Sequence, residues 1–319
     1  MSSTAWSWTA WNPAPVVLIG AATALMLFGR AWVRLRRRRR AGHASWPRAV
    51  LFLTAVVIGV LSLISPLDAA ADTSLTAHML QHVMIGEAAP ALALLALRGP
   101  LLFFFMPAAV LRRLGRSARL RDALAAVLRP RISLAAWALV LAAWHVPAAY
   151  DYALRHPIAH DLEHISFFAV GVLVWTQLVD PAHRRTLRRS ERLGCAVAMV
   201  AFTAALGVLL LFSNPLFPAY AHPDARLFAL SPSLDQHLAG LVMLAGQLAV
   251  LALCVCFSFP AATQRRSVGR QEPLPESGRA PFRTRMPVSL VAMRQLTHAS
   301  AATTGVGGAV RRLIKPTPL

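Results

Sequence analysis

Seven long apolar stretches constrain this chain more than any other feature. They run from Pro13 to Val33, Ala49 to Pro66, Leu75 to Leu97, Ile132 to Ala149, Ile158 to Val179, Cys195 to Phe212 and His237 to Phe259. A helix rises about 1.5 Å per residue, so roughly 20 residues cross a hydrocarbon core of ~30 Å. In lipid every backbone N–H and C=O must be satisfied internally, and a helix does that within one segment. The expected fold is therefore all-α: a polytopic membrane bundle of seven transmembrane helices. Only 14% of the residues are charged, where soluble domains carry about 25%. The ten-residue run Leu101 to Val110 lies between Gly99-Pro100 and Arg112-Arg113. It is too short to cross and is placed at the interface or as a short re-entry.

The basic residues orient the bundle. Of the 33 Lys and Arg, 31 fall in alternate loops: after the first, third, fifth and seventh runs. The other loops hold only Arg155 and Arg226. Cytoplasmic loops carry the excess of positive charge, so the N-terminus is expected outside and the C-terminus in the cytoplasm. The net charge of +20 is then a topology signal, helped by attraction to anionic lipid. It is not read as a nucleic-acid footprint, because neither interleaved aromatics nor a known module accompanies it. Trp6, Trp8 and Trp11 suit an outer interfacial belt. Residues 1–259 form the membrane domain. Residues 260–319, rich in Arg, Pro, Ser and Thr, lack an apolar period and read as a disordered cytoplasmic tail. The start of the chain lacks a basic n-region and a cleavage site, so no cleaved signal peptide is expected.

Histidine is sorted the opposite way. His78, His82, His145, His156, His160, His164, His222 and His237 lie at outer span ends or in outer loops; only His43, His183 and His298 lie inside. The outer acids are Asp68, Asp72, Asp151, Asp161, Glu163, Asp224 and Asp235. The positive-inside rule does not explain this, since imidazole is mostly neutral at pH 7. Residues i and i+4 share a helix face. His78 and His82, and separately His160 and His164, can each present two imidazoles together, with Glu163 on the second pair's face. Pro157 suits the first position of that helix. Imidazole ligates copper, zinc and iron, and thioether sulfur selects Cu(I). Met79 and Met84 lie beside the first pair. His145 is a possible further ligand or a helix-end cap. Asp161, Glu163 or Asp235 could hold the ligating rings.

Glu87 lies about 18 Å into the third run, a depth at which an ionisable group is a functional candidate or else a protonated side chain hydrogen-bonded to a neighbouring helix, the reading favoured here. In a regular helix it points about 180° from His78 and should stay outside that shell. Cys254 and Cys256 form a CxC pair inside the last run and read as packing residues; with Cys195 they make no disulfide framework. His160 to His164 also matches the H-x-x-E-H zinc-protease pattern, but the soluble catalytic domain that pattern belongs to is absent. Haem, held by one histidine from each pair, remains open, as does metal-ion transport involving Glu87. No phosphate-cradling loop, nucleophile elbow or dinucleotide fingerprint is present.

Several of these motifs together, HMLQH near Ala89-Pro90, WHVPAAYDYAL, HDLEHISFF, Asp180-Pro181 and DQHLAGLVM from Asp235, resemble the CtaG-like multi-span cytochrome c oxidase assembly family. The resemblance covers about Ala49 to Phe259. It implies a non-enzymatic assembly factor with seven helices in the bacterial cytoplasmic (inner) membrane. It implies a role in maturing a haem-copper oxidase through copper, with an oxidase subunit or a copper chaperone as partner. By motif match it points to His78, His82, His145, His160, Glu163, His164 and Asp235. The expected site is a copper (or zinc) centre of His78, His82, His145, His160 and His164, supported by Glu163, Asp235, Met79 and Glu87.

Overall fold

The structure, a computed structural model, describes residues 9–184, 187–220 and 230–258. Trp6, Trp8, His222, Asp224, His298 and the whole tail from 260 lie outside the described residues. All regular elements among these are helices. In chain order they are α1 (Pro15–Arg37), α2 (Trp46–Ile64), α3 (Pro66–Ala71), α4 (Leu75–Val83), a π turn (Met84–Ala88), α5 (Ala89–Ala96), α6 (Pro100–Phe105), α7 (Ala108–Arg116), α8 (Ala118–Val127), α9 (Pro130–Trp144), α10 (Pro147–Arg155), α11 (Pro157–Val179), α12 (Arg189–Phe212) and α13 (Pro232–Ser258). Proline occupies the first turn of most of them. Its missing N–H is harmless there and its fixed φ suits a helix start.

Six helices are long and apolar enough to cross a membrane, and a seventh results if α8 and α9, bent by 64°, count as one span. The exception corrects the expected span Ile132 to Ala149. That run breaks after Trp144 because Pro147 holds the preceding Val146 extended, at φ −69° and ψ 122°. α9 is left with 15 residues. The short run after Gly99 becomes α6 and α7, split at Met106-Pro107. Neither piece is of crossing length.

The stretch Leu75–Ala96 is the centre of the bundle: 72% of it is buried, against 11% of α1. α13 and α3 pack on α4, α2 on α5, and α11 along the π turn and α5; α9 lies on α11 and α12 on α13. The main core joins Ala91, Leu94 and Leu95 of α5 to Trp137, Phe167, Val174, Trp175 and Met199.

Pro90 accounts for the π turn. It cannot donate to the Gly86 carbonyl, and its ring crowds that oxygen. The chain widens by one residue, and the Ala89 N–H bonds to Met84 O instead. The displaced Gly86 carbonyl meets α11 at Gly171, where an ideal Cβ would overlap it and would also lie 3.1 Å from Pro90 Cγ. Glycine at 171 is what lets α11 approach.

On the opposite end of the bundle from the histidines, loops are tied by polar contacts. Asp180 adopts the left-handed conformation that ends α11, at φ 49° and ψ 61°, and pairs with Arg192 at 2.8 Å. Arg48 donates to Arg98 O at 2.6 Å, and the Gly99 N–H to Pro181 O at 2.6 Å.

Gly171→Ala is expected to destabilise the protein by about 1–3 kcal/mol, because the backbone of the π turn cannot yield. Gly115→Ala, with open space around it, should not. Thermal unfolding of both variants by circular dichroism in one detergent checks this.

Candidate metal centre

α4 carries the first histidine pair, and its start is fixed from two sides. The Ser74 hydroxyl accepts from the Ala77 N–H at 3.3 Å. Asp235, in the first turn of α13, supplies a carboxylate to the same end. Its Oδ2 accepts from the Leu75 N–H at 2.8 Å. Its Oδ1 accepts from the Thr76 N–H at 3.0 Å, the Thr76 hydroxyl at 2.6 Å and the Ser74 hydroxyl at 2.9 Å. An anion on the unpaired donors of a helix N-terminus is favoured by hydrogen bonding and by the helix dipole. Asp235 therefore supports the histidines through the helix that bears them, and both its oxygens are engaged there.

α11 brings the second pair from the other side. The four rings form one cluster. Centroids lie 4.3 Å apart for His78–His82 and for His160–His164, 5.3 Å for His78–His160, 5.6 Å for His82–His164 and 6.3 Å for His78–His164. Two sets of ligand atoms converge within 4.8 Å: His78 with His160 and His164, and His78 with His82 and Glu163. His82 Nε2 lies 3.5 Å from Glu163 Oε1.

The tautomer of His78 follows from its neighbours. The Tyr220 hydroxyl donates to Ala71 O at 2.8 Å. It is therefore an acceptor toward His78 Nδ1, at 2.9 Å, and Nδ1 carries the proton. The lone pair of Nε2 faces the cluster. Tyr150 adds a hydroxyl contact to Tyr220 at 3.0 Å. Burial pushes both phenols well above the ordinary tyrosine value, so they stay protonated and able to donate at neutral pH.

What marks the cluster is its unpaired polar atoms. His78 Nε2, both ring nitrogens of His82, His160 Nε2, His164 Nε2 and both carboxylate oxygens of Glu163 are buried without a hydrogen-bond partner. Native proteins leave few such groups, and a buried carboxylate without compensation is costly. Of these seven atoms, one His82 nitrogen carries the ring proton; the others form a set of lone pairs that a cation would satisfy. Only His160 of the four histidines is partly exposed.

The remaining expected residues fall elsewhere. His145 caps α9, its Nδ1 2.7 Å from Leu141 O; its Nε2 is also unpaired, but it belongs to neither converging set. It lines a cavity of ≈ 30 Å³ with Met79, His82, Glu87, Trp137 and Met243. Glu87 takes one indole N–H on each oxygen, from Trp137 at 3.0 Å and Trp175 at 2.7 Å. The expected 180° between Glu87 and His78 assumed a regular helix. Glu87 lies within the π turn and stays outside both converging sets, as expected, while sharing a cavity with His82. Met84 is partly buried in the π turn, Asp161 is exposed, and His237 is partly buried in neither set. His156 is exposed and pairs with Tyr152 O. Cys254 packs in the core, while Cys256 is exposed on the bundle surface.

Sequence reasoning missed Tyr150, Tyr220, Trp137 and Trp175. Tyr150 stood inside a quoted motif; Tyr220 follows Pro215 and Pro218 in a loop whose pattern carries no periodic signal.

With this geometry in place, the comparisons define the class. The family model for the cytochrome c oxidase caa3 assembly factor (Caa3_CtaG) matches residues 26–263. The chain belongs to this family of oxidase assembly factors, a multi-pass membrane family rather than a catalytic class. The match spans every element from α2 to α13 and all the clustered residues. No curated protein and no solved structure matches the chain.

Asp235→Ala is expected to cost about 1–3 kcal/mol and to speed amide exchange at Leu75 and Thr76 well beyond the rest of α4. Hydrogen exchange with mass spectrometry reads both the site and the spread of the effect.

Proposed function

We propose that the protein binds copper in the His78–His82–His160–His164 cluster with Glu163, and supplies it to a haem-copper oxidase subunit during assembly. The observation that carries this reading is the convergence of buried, unpaired imidazole nitrogens with an unpaired carboxylate. Nitrogen and carboxylate donors suit copper or zinc. Membership of an oxidase assembly family favours copper, which such an oxidase must receive. Haem fits less well: a porphyrin needs a wide slot between its two ligands, and the cavity beside the cluster measures ≈ 30 Å³.

Each residue has a part. Tyr220 holds the His78 proton on Nδ1 and so keeps Nε2 a ligand. Glu163 lowers the net charge of a bound ion. His160, partly exposed, meets an arriving or leaving ion first, which lets a copper chaperone or an oxidase subunit exchange with the site. In this reading the N-terminus and the cluster face the outside of the bacterial cytoplasmic membrane. Support comes from the sorting of histidine and arginine: Arg48, Arg98 and Arg192 are tied at the opposite end from the histidines.

The purified protein is expected to carry copper bound through imidazole nitrogen, without a Soret band, and to lose that nitrogen-bound copper in a His160→Ala, His164→Ala double variant. Elemental analysis with a visible spectrum of the same sample tests this; a copper content unchanged in the variant, or a Soret band, overturns it. Alkaline phosphatase fused after Arg116 is expected to be inactive in cells and active when fused after Arg155. The reverse pattern would invert the orientation.

A further inference from the structure

We propose that the cavity beside the histidine cluster is a second cation position. It takes a soft monovalent cation between the thioethers of Met79 and Met243, the imidazole of His145 and the carboxylate of Glu87. The proposal rests on the reading of the cluster as a copper site and extends it one step deeper into the bundle.

Four observations carry it. The first is space: ≈ 30 Å³ accommodates one small ion or a water or two. The second is an oriented donor. His145 has its Nδ1 on the Leu141 carbonyl, an acceptor only, so its lone pair is on Nε2, which is buried and unpaired. The third is charge. Glu87 meets neutral donors, the indoles of Trp137 and Trp175, one per oxygen, with the Gln247 amide beside them, and among the described residues no Lys or Arg lines the cavity. Ionised, Glu87 would lack a counter-charge, and an uncompensated charge at this depth is expensive. One monovalent cation neutralises it; a divalent ion would leave an excess. The fourth is softness: two thioethers beside one imidazole select Cu(I) over harder ions.

The π turn is what makes the position. Such turns recur at functional sites, and here Glu87 stands in the turn and lines the same cavity as His82. His82 links the two positions. One of its nitrogens lies 3.5 Å from Glu163 in the cluster, and neither has a hydrogen-bond partner. Along the helix axis Glu87 is about 7–8 Å below His82. An ion leaving the cluster finds a second set of lone pairs within one side-chain movement.

The test uses the full chain in detergent, titrated anaerobically with Cu(I) against a competing chelator, with X-ray absorption on the loaded samples. The wild type is expected to bind two Cu(I) per chain, with sulfur among the scatterers. Met79→Leu with Met243→Leu, a volume-conserving change, should bind one, with no sulfur signal. His160→Ala with His164→Ala should also bind one, with sulfur retained. Glu87→Gln should weaken only the sulfur-containing position, by tenfold or more. Elution profile and circular dichroism confirm that each variant is folded. A wild type that binds a single Cu(I) through nitrogen and oxygen alone, lost in the histidine variant, overturns the second position and leaves the cluster reading standing. A wild type that binds none overturns both.

Discussion

The structure depends on how closely α11 can approach the central helix, and that approach is set by one carbonyl. Pro90 leaves Gly86 O without its helical partner, the helix opens into a π turn, and Gly171 is the only residue type that lets α11 lie against the displaced oxygen. Both histidine pairs are on these two segments. The contact is therefore more than a packing detail. It fixes the depth and rotation at which His160, Glu163 and His164 meet His78 and His82, and the same turn holds Glu87. A local defect in hydrogen bonding is converted into the register of a site.

Around that register, the groups that position the histidines are engaged, while the imidazole nitrogens that face the cluster are bare. Asp235 uses both oxygens on the end of α4, and Tyr220 is committed to Ala71 and His78. Glu87 is held by two indoles. Against this background of satisfied groups, the bare nitrogens of the cluster stand out as a chemical statement. In a low-dielectric interior a polar atom without a partner is costly, and a helix bundle that pins the neighbours of those atoms while leaving them bare is arranged for an added cation. Under the proposed copper reading the cluster must also release its ion. Three buried histidines and one at the edge would combine holding with an exit.

Much of this was legible in the sequence, for identifiable reasons. Long apolar runs report crossing helices directly, and i, i+4 spacing reports shared faces. The outer histidines therefore pointed to His78, His82, His160, His164 and Glu163 before any coordinates, and the structure brings those five together. The break in the fourth run was less visible because apolar composition continues through Val146 and Pro147; hydropathy does not register that a proline stiffens the residue before it. The π turn was hidden because phase arithmetic presumes 3.6 residues per turn, although Pro90 inside an apolar run was the clue. Asp235 reads in sequence as a possible partner for an imidazole. Only the packing of α13 on α4 shows that it reaches backbone first. Tyr220 and the two tryptophans depend on contacts between distant segments, which no local pattern encodes.

The shortness of α9 has a consequence for the membrane itself. Fifteen residues rise about 22 Å, well under the thickness of an average hydrocarbon core. Lipid next to such a helix relieves the mismatch by thinning. α9 ends at His145, so thinning at that end would bring the water boundary inward toward the cluster. Histidines at the ends of their spans would then stand a short step from solvent. Such a bundle would shield the cluster from bulk water and still leave it within reach of the aqueous side, without any aqueous channel.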